Sequence, residues 1–114
     1  MTKEQKDLLL RDLCARLPYG VKVKFNNIHI LKLGTHTRVG EYVTDVSEPC
    51  KPYLFPLSSM TPKQKAELSI LVEDEEDLFK LLLIEVEFYH KHHIDYRGLI
   101  PMGLAIDATD KNIY

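Results

Sequence analysis

Leucines at positions 9, 10, 13 and 17, with charged residues between them, mark the first element of the chain. That spacing is one face of a helix and predicts one from Thr2 to Arg16. Thr2 and Gln5 stand in capping-box register, where a hydroxyl and an amide each satisfy a free backbone N–H. Pro18 and Gly20 end the helix. The period then shortens: Val21-Lys22-Val23-Lys24-Phe25 alternates strictly, the pattern of a half-buried strand with both lysines on one side. Asn26-Asn27 is a two-residue turn and Ile28 to Leu33 the return strand, because asparagine tolerates positive φ. After a loop from Gly34 to Gly40, Glu41 to Val46 predicts a third strand of an antiparallel meander.

Ser47 to Ser59 carries Pro49, Pro52 and Pro56, a density that predicts no regular element. Its Tyr53, Leu54, Phe55 and Leu57 predict instead an ordered crossover lying over the core. Thr61-Pro62 with Gln64 opens a second helix. The acids Asp74 to Asp77 precede a long apolar stretch and predict a third helix from Glu75 to His92, its first turn complementing the helix dipole. Ile84 to Tyr89 also alternates as a strand does, so helical and extended periods compete over residues 83–89. Asp95 is placed to cap a short turn that Pro101 limits. Together these elements predict one α+β domain over residues 1–114: a small antiparallel sheet of two or three strands, packed against two main helices plus the N-terminal helix.

A chain of 114 residues, 45% hydrophobic and 28% charged, has enough apolar surface to fold without disulfides or a metal. Cys14 and Cys50 form no CxxC pair and no metal-ligand spacing. Leu8 to Leu10 is broken at once by Arg11 and Asp12, unlike a signal peptide, and no stretch approaches the ~20 apolar residues of a membrane span. A cytoplasmic protein with two reduced thiols and no membrane partner is the expectation. Charge adds more once it is located. Residues 1–38 hold eight Lys or Arg against three acids, net +5; residues 39–114 hold seven against fourteen, net -7. Such asymmetry fits a polyanion partner, head-to-tail self-association, or two halves that neutralise each other within one fold.

Two segments carry a resemblance: KPYLFPLSSMT, Lys51 to Thr61, and HHIDYRGLIPMGLAID, His92 to Asp107. They resemble the signature stretches of a group of small uncharacterised proteins of anaerobic gut bacteria and of the phages and mobile elements these bacteria carry. The resemblance covers most of the chain and is weakest over residues 21–46. It implies a bacterial or mobile-element origin and favours a helix over residues 75–92. It brings no activity, catalytic residue, cofactor or partner to carry over. Phe55 departs from the group, whose members have a charged or polar residue there.

Three constellations are candidates for chemistry. His90, His92 and His93 lie beside Asp95; on a helix His90 and His93 share a face, and two imidazoles with a carboxylate suit a borderline metal such as zinc. Histidines at a helix C-terminus also serve simply to meet its dipole and free carbonyls. Glu85 falls on the helical projection among Leu78, Leu82 and Tyr89, opposite the polar stripe of Lys80, Ile84, Glu87 and Lys91. A buried carboxylate needs a partner, and Arg97 is the expected one, in a clasp that pins the C-terminal segment. A tuned carboxylate in a pocket, or a strand that turns Glu85 to water, are the alternatives. Lys22 and Lys24 point one way on their strand, and Lys32 and Arg38 extend a basic hairpin suited to a phosphate backbone. No nucleotide-binding loop, nucleophile elbow, calcium loop or named nucleic-acid module occurs, and no cofactor is expected. The primary reading is a non-enzymatic accessory or protein-interaction domain, binding another protein or itself. A nucleic-acid-associated protein is the alternative, and a metal protein or enzyme built on the histidines the third.

Overall fold

The computed structural model describes residues 2–25, 29–34 and 50–114. Helix α1 spans Lys3–Arg16 and opens with the predicted capping box: Gln5 N–H donates to Thr2 Oγ1 and Thr2 N–H to Gln5 Oε1, at 3.1 and 3.0 Å. Its buried stripe is Leu9, Asp12, Leu13 and Arg16, so two charged residues share the core face with two leucines. A 3-10 turn, Leu17–Tyr19, leads to Gly20 at φ +66. That left-handed conformation suits glycine, and a Cβ there would stand 2.5 Å from Lys32 Cε.

Strands β1, Lys22–Phe25, and β2, His29–Lys32, pair antiparallel with Lys22 opposite Lys32 and Val23 opposite Leu31. Val21 and Val23 are buried, as the alternation requires. The Asn26-Asn27 turn, the strand from Glu41 to Val46 and Arg38 lie outside the described residues.

The proline-rich stretch departs from expectation. Lys51–Pro56 is strand β3, the hub, among the described residues, of a mixed five-stranded sheet of order β2-β1-β3-β4 with β5 also on β3. Pro52 and Pro56 stand at its second and last positions, and β1 pairs antiparallel with only Lys51 and Pro52, so the ladder misses few donors. The apolar content decides the outcome, since Tyr53 and Leu54 are buried. Two-residue strands β4, Ile94–Asp95, and β5, Ile106–Asp107, run parallel to the second half of β3. Phe55 N–H donates to His93 C=O and Leu54 C=O accepts from Ala108 N–H, both at 2.8 Å. Adjacent strand residues point their backbone groups in opposite directions, so β4 and β5 flank β3 on opposite edges. The predicted α+β class holds, with more strands than the two or three expected and with parallel pairs beside the antiparallel ones.

Helix α2, Pro62–Val72, begins with a second capping box, Thr61 with Gln64. Helix α3 spans Leu78–Lys91. It starts three residues later than predicted because Asp77 is the N-cap, its carboxylate accepting from Phe79 N–H at 2.9 Å. Helical period prevails over residues 83–89. The core joins α1, β1, β3 and the 99–105 turns through Leu9, Leu13, Val21, Val23, Leu54, Leu99 and Leu104. Among the described residues no helix is long and apolar enough to cross a membrane.

Candidate functional site

Helices α2 and α3 form a hairpin that only partly rests on the sheet and α1. No residue of α2 is buried, and α3 buries only Phe88 and His90, both in its last turns. At 100° per residue, Leu78, Phe79, Leu82 and Leu83 fall within a sector of about 140°, and Val86, Tyr89 and His90 continue the same sector. The two halves of this stripe meet different surroundings. Tyr89 stacks on Tyr96 with ring centroids 5.5 Å apart, and His90 Nε2 hydrogen-bonds the Tyr96 hydroxyl at 2.7 Å. The N-terminal half meets water: Leu78 is 67% exposed, Phe79 84%, Leu82 49% and Leu83 58%. Ile70 and Leu71, near the end of α2, are also exposed. Leu78 and Leu82, expected from their periodicity to line the core, therefore lie outside it, because α3 runs on past the elements that cover its C-terminal turns.

Beneath the covered half lies a polar junction. Asp12 and Arg16 are fully buried, Arg16 Nε donating to Asp12 Oδ2 at 2.8 Å and Arg16 Nη2 to Ile94 C=O at 2.7 Å. Arg97 Nε stands 3.3 Å from Asp12 Oδ1, an ion pair outside hydrogen-bond geometry. The expected Glu85–Arg97 clasp is replaced by this one: Arg97 does pin the C-terminal segment, but to α1, because Asp12 presents a fully buried carboxylate there. Glu85 is half-buried, and its charge, after burial, helps raise the Tyr89 phenol above its usual range. Both guanidiniums lie over the Tyr96 ring, 5.6 and 5.1 Å from its centroid for Arg16 and Arg97.

The histidines part company at the end of α3. His93 has φ +58, which carries its ring away from His90 and onto Tyr114, 3.7 Å between centroids and 9° from parallel. Asp95 spends both carboxylate oxygens on the Leu99 and Ile100 N–H groups, each at 2.9 Å, and so caps the turn that follows. The three proposed metal ligands thus have separate occupations, and among the described residues no three His, Cys, Asp or Glu gather as a metal site. Burial holds His90 down to about 4, with Arg16 and Arg97 lowering it further against Asp12. Burial likewise brings His93 to about 4, helped by Arg16, His92 and Lys22.

The basic strands present a coherent face. Lys22, Lys24 and Lys32 share one side of the sheet by register, and Lys51, opposite Lys24, joins them. Lys22, Lys24 and Lys51 are half-buried and Lys32 is exposed, and Lys22 Nζ donates to Ile113 C=O at 2.6 Å. The Tyr114 hydroxyl closes this corner, accepting from Lys22 N–H and donating to Tyr53 C=O, each at 2.8 Å.

Two concavities flank the hairpin. One of about 260 Å³ lies between α2 and α3, lined by Tyr19, Glu67, Leu71, Ile84, Phe88 and His92 among others. Another of about 290 Å³ is lined by Phe55, Ser59, Thr61, Gln64, His92 and Asp110 among others. Both fall just below the usual range of ligand pockets, roughly 300–1,000 Å³. Cys14 is exposed and Cys50 buried, both as free thiols.

Sequence reasoning missed two features. Asp12 and Arg16 complete the i, i+3, i+4, i+7 stripe begun by Leu9 and Leu13, and that spacing was the available signal. The exposed half of the α3 stripe carried no such signal, since an apolar face looks the same in sequence whether or not anything covers it. No protein-family model matches the chain, and comparison with curated proteins and with solved structures found no match.

Proposed function

We propose that the chain is an accessory, non-enzymatic protein-interaction domain, of the bacterial or mobile-element origin its resemblance implies, and that it docks through the free end of α3. The observation that carries this reading is the exposure of Leu78, Phe79, Leu82 and Leu83 on one sector of a helix whose other turns are packed. Counting roughly 200 Å² for each large side chain, the four leave on the order of 500 Å² of apolar surface in water. The largest such patch on an ordinary monomer is about 300–600 Å² and is often functional. A partner covering it with equal area buries about 1,000 Å² in total, where specific interfaces begin. The neighbouring polar groups are consistent with a scaffold that presents this surface: Arg16 ties α1 to β4 through Ile94 C=O, and His90 ties the end of α3 to Tyr96.

Photocross-linking tests the reading. With a benzophenone amino acid in place of Phe79, the protein expressed in its native cells is expected to yield one discrete protein adduct. Leu82→Asp with Leu83→Asp should abolish it. A diffuse smear, or an adduct indifferent to those substitutions, contradicts the proposal.

A further inference from the structure

The charge around the stripe is almost all of one sign. Between residues 73 and 90 stand Glu73, Asp74, Glu75, Glu76, Asp77, Glu85 and Glu87, with Lys80 the lone lysine or arginine. All seven acids are exposed or half-exposed. Glu75 and Asp77 each place one carboxylate oxygen on a nearby backbone N–H, which leaves their charge in place. Among the described residues no lysine or arginine forms an ion pair with any of the seven.

This charge selects the occupant. Two copies meeting stripe to stripe in parallel would set residues 73–77 against themselves. Meeting antiparallel, with Leu78 opposite Leu83, they would set 73–77 over 84–88, which contains Glu85 and Glu87. Both arrangements bring like charges together as the apolar contact forms, and such juxtaposition rejects a partner. A chain with lysine or arginine beside its apolar anchors gains from the same carboxylates. A helix surface offers ridges and grooves that a second helix fills. We infer that the α3 stripe receives a basic amphipathic helix of a different protein, its large apolar side chains recurring at i, i+3 or i+4 and i+7 with lysine or arginine flanking them. The inference rests on the docking reading above and adds the shape and charge of what docks.

Because the chain has no tryptophan, a tryptophan in a peptide reports binding without interference. Two synthetic helical peptides of equal length, with the same leucines and one tryptophan, are titrated with the full chain; one carries lysine at its flanking positions and the other glutamate. The lysine peptide is expected to bind at least about tenfold more tightly, and to weaken as salt is added. Leu82→Asp should abolish its binding. Glu73→Gln with Glu76→Gln and Glu87→Gln, which leaves the apolar stripe and the Asp77 cap intact, should weaken it several-fold. Equal affinity for the two peptides, both lost on Leu82→Asp, would overturn the charge selection while leaving the docking surface standing. Binding of the lysine peptide that is indifferent to Leu82→Asp would overturn the assignment to this stripe. A dimer of the chain that Leu82→Asp dissociates would make a second copy the occupant and overturn the inference as well.

Discussion

Asp12→Ala removes the one carboxylate on which two guanidiniums converge. Arg16, fully buried, then keeps its bond to Ile94 C=O but has no counter-charge, and Arg97, 27% exposed, faces it across the vacated site. Breaking one side of a buried ion pair costs about 3–5 kcal/mol, because the remaining charge stays desolvated. A domain of this size is stable by about 5–15 kcal/mol in total. For 114 residues the entropy of unfolding is about 240 cal/mol/K, so a loss of about 4 kcal/mol lowers the melting temperature by about 17 °C. Thermal and urea unfolding followed by circular dichroism measure both quantities. Arg97→Ala is the internal control: its Nε makes no hydrogen bond and its side chain reaches solvent, so a cost of about 1 kcal/mol is expected. Asp12→Leu combined with Arg16→Met removes the pair as a unit and should cost less than the two substitutions measured singly and added. If Asp12→Ala costs under about 1 kcal/mol, the carboxylate is not the counter-charge of the junction and the account of how α1 is fastened to the C-terminal segment fails.

Two further outcomes follow from the same geometry. His90 and His93 titrate near 4 in the fold and near 6.5 unfolded, so the unfolded chain binds more protons between those values. Their contribution is complete above about pH 6.5 and is lost as pH falls toward 4, by about 2 kcal/mol for each histidine at about pH 5; urea midpoints that do not move between about pH 7.5 and pH 5 would contradict this. Thiol labelling separates the cysteines, since Cys14 is exposed while burial raises Cys50 to about 11: the native protein should take up one equivalent of reagent quickly and the second only in denaturant, and rapid labelling of both would refute the burial of Cys50.

The elements whose signals are local were legible in the sequence. Both capping boxes, the alternation of Val21 and Val23 and the helical period of the last apolar stretch depend on neighbours within one turn or one strand. β3 was not legible, because its prolines argue against a strand locally while its place in the sheet depends on β1, β4 and β5, which come from distant parts of the chain. Arg97 was expected to clasp Glu85, and in the structure its ion pair is with Asp12, a choice made by packing that residue spacing does not report. The histidine cluster dissolved for a backbone reason, the positive φ of His93, which no residue spacing reports. The apolar stripe of α3 was legible as a stripe; that its first half meets water depends on how far α3 extends past its supports.

The central claim is that this exposed half belongs to an interface and not to the folding core. Equilibrium unfolding of the Phe79→Ser, Leu82→Ser double variant tests it directly. Exposed apolar side chains contribute little to folding, so the account predicts a stability within about 1 kcal/mol of the parent chain. A loss of more than about 4 kcal/mol, the cost of deleting large side chains from a packed core, would show that the stripe is covered within the chain and would contradict the docking surface.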